Sequence, residues 1–309
     1  MRTLRRSFNR VPRIAVVTAT LVAAAACADA IVTAPAARTN PFANVAVGPI
    51  FVTVDVPGSA QTRVLDLNEP GDLVGFYRMA GVTHGFFRGR DEQFVTIDAP
   101  NATATFPHGI NDRGDITGRF IEAGSNHTRG FLLIGGTYSV FDFPGMIHTE
   151  PEFINERGDI AGKYRDATGF QHGFVLKDDV FHTIDVPGAA STDVQVYTVD
   201  GLAVGDIRDG VTPTIVHSFT IEDGVFTIFD VPGATLTLAR AVGKYGNIVG
   251  IYVDPSGRHG FLRDRDGNFE RIDYPGASST EIYGANRRGT LSGSYVAASV
   301  EHGFLRVER

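Results

Sequence analysis

Thr105-Phe106-Pro107-His108-Gly109-Ile110-Asn111-Asp112-Arg113-Gly114-Asp115-Ile116-Thr117-Gly118-Arg119-Phe120 is the stretch that decides the fold of this chain. It reads as two short strands about a tight turn. Asn111-Asp-Arg-Gly114 ends on a glycine free to take positive φ, and β-branched and aromatic residues flank it. A lone hairpin of this kind is marginal in water, but the segment recurs. Threonines stand at 62, 105, 149, 192, 237 and 280, each followed by two glycines four residues apart, such as Gly114 and Gly118.

Outward from that hairpin, each unit opens on an aromatic residue: Phe51, Phe94, Tyr138, Phe181, Phe226 and Phe269, at spacings of 43, 44, 43, 45 and 43 residues. An aspartate follows four residues later (Asp55, Asp98, Asp142, Asp185, Asp230, Asp273) and a proline two beyond it. Each unit ends on Phe86, Phe131, Phe174, Phe219, Phe261 or Phe304, usually within His-Gly-Phe. Four strand-like segments per unit at this period match a propeller blade. The expected fold is therefore all-β, a six-bladed β-propeller of four-stranded blades over residues 51–309. Its opening strand, Phe51 to Asp55, has no predecessor, and its last, His302 to Arg306, has no successor. Their mutual pairing would close the ring and hide both edges.

Composition agrees with this reading. The 309 residues include 36 glycines, 15 prolines and 22 phenylalanines, and 43% are hydrophobic, which suits many short strands joined by turns. The net charge of −7 becomes more negative once the basic N-terminus is set aside, which argues against nucleic acid or an anionic membrane surface as partner.

Residues 1–26 read as a signal peptide: Arg2, Arg5, Arg6, Arg10 and Arg13 precede an uncharged run too short to span a bilayer. Cys27, the single cysteine, stands directly after Leu21-Val-Ala-Ala-Ala-Ala26, where a bacterial lipoprotein is cleaved and acylated. Ala28-Asp-Ala30 offers ordinary cleavage instead, so lipidation and simple secretion both remain open. Residues 27–50, rich in Ala, Thr and Pro, read as a flexible tether. The expected location is extracytoplasmic, with the membrane touched only through a lipid anchor.

Gly109-Ile-Asn-x-x-Gly-x-Ile-x-Gly118 and His172-Gly-Phe174 resemble the HAF-type extracellular repeat proteins, named for a His-Ala-Phe motif. The likeness covers residues 51–309. Departures are Arg129-Gly-Phe131, His217-Ser-Phe219, and Thr198 and Gly243 in place of the turn asparagine. The resemblance implies a bacterial exported propeller-like repeat protein and no particular activity.

Each His-Gly-Phe histidine (His84, His172, His217, His259, His302) is placed by antiparallel pairing beside the aspartate of its hairpin partner. A recurring brace and a ring of metal ligands or acid–base pairs both fit. The unvarying recurrence favours the brace, since a catalytic constellation is asymmetric. No metal or cofactor is implied.

Asymmetry appears at two positions. Three residues after each threonine stand Leu65, His108, Glu152, Gln195, Arg240 and Tyr283; one residue after it stand Arg63, Phe106, Glu150, Asp193, Leu238 and Glu281. If this strand is innermost, Arg63, His108, Glu152, Gln195, Arg240 and Tyr283 are candidate binding residues at a channel mouth; drift at solvated positions gives the same variety. From opening aromatic to second glycine every unit spans 24 residues, whereas the stretch from that glycine to the closing Phe varies from 11 to 14. Variable loops on a fixed frame suit binding. No Gly-x-Ser-x-Gly elbow, His-Glu-x-x-His or phosphate-cradling loop occurs. The sequence thus points to a monomeric, non-catalytic binding or scaffold module for an extracellular glycan or protein. A polysaccharide hydrolase or lyase with scattered side chains at the mouth is the alternative.

Overall fold

A computed structural model describes residues 48–125, 127–210 and 215–308. The readings of residues 1–26 as a signal, of Cys27 as a lipidation site, and of the tether up to residue 47 lie outside the described residues. Ile50, assigned to the tether from sequence, is the first residue of a strand.

The described residues form strands and turns, with one 3-10 turn at Lys244–Gly246. β1 (Ile50–Val54) comes first, then five groups of four. These are β2 (Gln61–Leu67), β3 (Leu73–Met79), β4 (Val82–Arg88) and β5 (Phe94–Ile97); β6 (Ala102–Ile110), β7 (Ile116–Glu122), β8 (Thr128–Ile134) and β9 (Thr137–Phe141); β10 (His148–Ile154), β11 (Ile160–Arg165), β12 (Gln171–Lys177) and β13 (Val180–Ile184); β14 (Ala189–Tyr197), β15 (Ala203–Asp209), β16 (Val216–Glu222) and β17 (Val225–Phe229); and β18 (Leu236–Val242), β19 (Ile248–Asp254), β20 (Gly257–Arg263) and β21 (Phe269–Ile272). β22 (Ser279–Ala285), β23 (Leu291–Ala297) and β24 (Val300–Val307) end the chain, and β1 pairs antiparallel with β24, Phe51 opposite Arg306 and Val54 opposite Gly303. Within each group the strands pair antiparallel in sequence order. Single parallel bridges, such as Thr83 to Ala104, join some groups, giving hydrogen-bonded sheets of 4, 12 and 8 strands.

The last strand of each group is the least buried, and β17 has no buried residue. The first strands of neighbouring groups lie against one another, with β22 beside β2, which makes them the inner strands.

The repeated residues have structural duties. Every closing phenylalanine is fully buried, each worth about 2–3 kcal/mol of apolar burial. The hydroxyl of each repeated threonine accepts a hydrogen bond from the backbone N–H after the repeated aspartate, as in Thr105 from Ala99 at 3.0 Å and Thr280 from Tyr274 at 2.9 Å. That bond fastens the Asp-x-Pro-Gly turn to the inner strand. Each of the five repeated histidines is joined to the aspartate of the following unit, His84 to Asp98 at 2.8 Å and His217 to Asp230 at 2.7 Å, with His302 of the last unit joined to Asp55 of the first at 2.7 Å. Where Arg129 replaces the histidine, it binds Asp142 at 2.8 Å. The contact to the aspartate thus persists where the imidazole does not. Among the described residues no group of three or more His, Cys, Asp and Glu side chains is arranged to hold a metal ion.

The sequence departures are also explained. Ser218 stands where other units have glycine, and the side chain facing that position from the next inner strand is proline at Gly85 and Gly130 but only alanine, Ala239, at Ser218. The smaller neighbour makes room, and Ser218 Oγ accepts from Ala239 N at 2.8 Å. At the turns, asparagine amides link consecutive units: Asn68 donates to the Asn111 carbonyl (3.1 Å), Asn111 to Asn155 (3.3 Å), Asn155 to Tyr197 (3.2 Å), and Asn286 back to Asn68 (3.3 Å). Thr198 and Gly243 lack the amide and interrupt the series; Thr198 turns its hydroxyl to its own turn instead, accepting from Leu202 N at 3.0 Å.

Candidate functional site

Every inner strand carries a β-bulge, and the residue each bulge leaves out of the ladder is the third after the repeated threonine. The register slips between Val64 and Asp66, Pro107 and Gly109, Pro151 and Phe153, Val194 and Val196, Ala239 and Ala241, and Ile282 and Gly284. The skipped residues are Leu65, His108, Glu152, Gln195, Arg240 and Tyr283. A bulge bends its strand and re-aims the unpaired side chain. Here all six line one cavity of about 250 Å³.

The second repeated glycine makes the bulge possible. A Cβ at Gly162 would lie 2.2 Å from the Glu150 carbonyl oxygen, and the equivalent glycines meet the same obstruction. Only glycine lets the second strand approach the bulged one this closely.

All six candidate binding residues border this cavity: Arg63, His108, Glu152, Gln195, Arg240 and Tyr283. Of the other residues one after a threonine, Phe106 lines it, while Glu150, Asp193, Leu238 and Glu281 do not. Six lining residues escaped the sequence reading: Asp66, Phe153 and Ala241, each directly after a bulge residue, and Phe76, Arg119 and Lys163, each directly after a second glycine. The signal of the last three was available, because that position also differs from unit to unit.

The cavity is charged and internally ordered. His108 Nδ1 lies 2.6 Å from Glu152, whose other oxygen is 2.9 Å from Lys163 Nζ. Lys163 also holds Asp193 at 2.6 Å. Arg240 donates to Asp206 at 3.1 Å; Arg119 pairs with Glu150; Arg63 lies 2.6 Å from Glu301 and donates to the Tyr283 hydroxyl at 3.0 Å. Tyr283 in turn donates to Glu281. Phe76 and Phe106 meet edge to face at 5.2 Å, with the Arg119 guanidinium 5.0 Å from the centre of the Phe106 ring.

Burial and neighbours set the protonation of these groups. Burial pushes Glu152 upward, but His108 and Lys163 outweigh it and hold the carboxyl well below its ordinary value. Burial, reinforced by Asp193 directly opposite on the ladder, pushes Asp206 up to about 7. Burial also raises Asp193, against the pull of Lys163, and raises Tyr283, with Glu281 adding to it.

A second cavity of about 610 Å³ lies at the asparagine-turn end of the inner strands. Asp66 and Phe153 border both cavities and form the waist between them. Asp66 accepts hydrogen bonds from Leu67 N at 2.8 Å and Ile110 N at 2.9 Å, and burial raises it to about 7.

No family model matches this sequence, and no curated protein matches it. Among solved structures, a putative TolB from Agrobacterium tumefaciens is similar at TM-score 0.59 and 13% identity, over 83% of this chain and 96% of that one. TolB from Acinetobacter baumannii is similar at TM-score 0.55 and 13% identity, over 77% and 64%. A virginiamycin B lyase from Staphylococcus aureus with quinupristin follows at TM-score 0.50 and 14% identity, over 82% and 83%. Likeness at this identity speaks to fold alone, and the fold is that of an all-β propeller.

Proposed function

We propose that residues 51–309 form a closed six-bladed propeller whose axial cavity is the ligand site of an exported, lipid-anchored, monomeric binding or scaffold module for an extracellular glycan or protein. The pairing of β1 with β24 and the hydrogen bond from Asn286 to Asn68 support closure. One observation carries the functional reading: the six bulges turn six chemically different side chains into one cavity, while the repeated residues around them are occupied in structure. At about 250 Å³ the cavity is smaller than the several hundred Å³ of a drug-sized site, so it admits one ring or a chain end.

The catalytic alternative, a polysaccharide hydrolase or lyase, has its own supporting feature. His108 lines the cavity, Glu152 holds its Nδ1, and its buried Nε2 has no hydrogen-bond partner in the protein. A carboxylate-oriented imidazole is the arrangement a general base requires. A glycan array and a reducing-sugar assay on one preparation separate the two. Saturable binding without product, weakened by Tyr283→Phe, supports the module; turnover abolished by His108→Ala with the fold retained supports the enzyme. For the anchor, Cys27→Ala is expected to release the protein from membranes, and a mature native N-terminus at Ile31 without lipid would leave secretion alone.

A further inference from the structure

The charges around the axial cavity are layered. Four permanently cationic side chains face it, Arg63, Arg119, Lys163 and Arg240, together with His108. The carboxylates that balance three of them, Glu301, Glu150 and Asp206, do not border it. Of the two acids that do, Glu152 is covered by His108 and Lys163 and Asp66 by two backbone N–H groups. A molecule inside therefore meets an inner wall of donors, with the compensating anions behind it.

Two polar groups on that wall are unused. Gln195 lines the cavity with no side-chain hydrogen bond to the protein, and His108 Nε2 is likewise unpaired. A ligand hydroxyl would pair with the Gln195 amide. Phe76 and Phe106 supply an apolar side against which the C–H face of a ring can pack.

Resting on the reading of this cavity as a glycan site, we propose that it takes a single hexuronate ring, the carboxylate-bearing end group of an acidic glycan. The carboxylate lies against the guanidinium wall, the hydroxyls against Gln195, His108 and Tyr283, and the ring face against the two phenylalanines. Charge-assisted bonds from guanidinium to carboxylate distinguish this ring from its neutral counterpart.

Isothermal titration calorimetry of the intact mature chain with D-glucuronate and D-galacturonate, set against D-glucose, D-galactose and N-acetylphenylalanine, tests this. At least one uronate is expected to bind at least about tenfold more tightly than the neutral sugars, the margin a charged hydrogen bond provides. Gln195→Ala is expected to weaken that binding by about tenfold. Because Arg240→Gln alone strands buried Asp206, the paired change Arg240→Gln with Asp206→Asn removes one cation of the wall without stranding its partner, and should lower the preference for uronate by about tenfold. Neutral sugars bound equally well, and weakened by Gln195→Ala, would overturn the hexuronate assignment and leave the glycan site standing. Preference for N-acetylphenylalanine would replace the sugar with a peptide carboxylate. No saturable binding of any probe by folded protein overturns the assignment, and glycan-array binding indifferent to both variants would remove the cavity from the function altogether.

Discussion

Replacing Asp66 by asparagine removes a titrating group from the waist between the two cavities. The carboxyl is buried, has two backbone donors, and is raised from 3.8 to about 7 by desolvation. A raised carboxylate means that the native state holds a proton the unfolded chain has released. The native protein therefore loses stability as pH climbs from the unfolded value, near 4, through the folded value, near 7, and the loss is complete above it. Each pH unit in that window is worth about 1.4 kcal/mol, so between pH 5 and pH 8 the wild type gives up about 3 kcal/mol at this residue. Asparagine does not titrate, but it has a single acceptor oxygen and its NH2 group only donates, so one of Leu67 N and Ile110 N is left unpaired, which costs about 1–3 kcal/mol at any pH. The variant is accordingly expected to be the less stable protein at pH 5 and to gain about 3 kcal/mol relative to wild type by pH 8. Urea denaturation of both proteins, followed by circular dichroism at the two pH values, reads that difference directly. A stability gap that stays constant, or widens against the variant at pH 8, would show that Asp66 is ionised in the native state and that the burial argument is wrong.

Gly162→Ala places a Cβ 2.2 Å from the Glu150 carbonyl oxygen, and is expected to cost about 3 kcal/mol or more in chemical denaturation; a near-neutral result would mean that the bulge does not need glycine. His217→Ala removes a brace to Asp230 that is partly exposed, so a loss of about 1 kcal/mol or less, roughly 2 °C in Tm, is expected with ligand binding unchanged. Loss of binding without loss of stability would return the His–Asp pairs to the functional residues. Deleting residues 302–309 strips β1 of its partner and exposes two strand edges. Aggregation on size-exclusion chromatography is expected, and a monomer with an unaltered melting curve would refute closure through this pair.

What could be read from the sequence follows the reach of local rules. The period, the four strands, the histidine–aspartate contacts and the partnership of Phe51 with the C-terminal strand all come from turn chemistry and antiparallel register, which neighbouring residues determine. The six bulge residues were found for another reason: they vary where their neighbours repeat. Asp66 was missed because strict alternation assigns it to the same side as Val64. The bulge at Leu65 breaks that alternation and turns Asp66 to the waist. The asparagine series was also hidden, since its bonds join units 42 to 44 residues apart, and 218 for Asn286 and Asn68. Only the approach of one unit to the next creates them.

The bulges have a consequence for how such a protein diversifies. A residue that the ladder skips contributes nothing to strand register, so mutation there leaves the pairing of the strands intact, provided its buried charge partner changes with it. Positions 65, 108, 152, 195, 240 and 283 form a small combinatorial library written into a single gene, and duplication of units supplies new frames on which each position drifts separately. Randomising those six codons, with Asp206 covaried alongside Arg240 and Lys163 alongside Glu152, would vary the lining of the cavity while leaving the strand register unaltered.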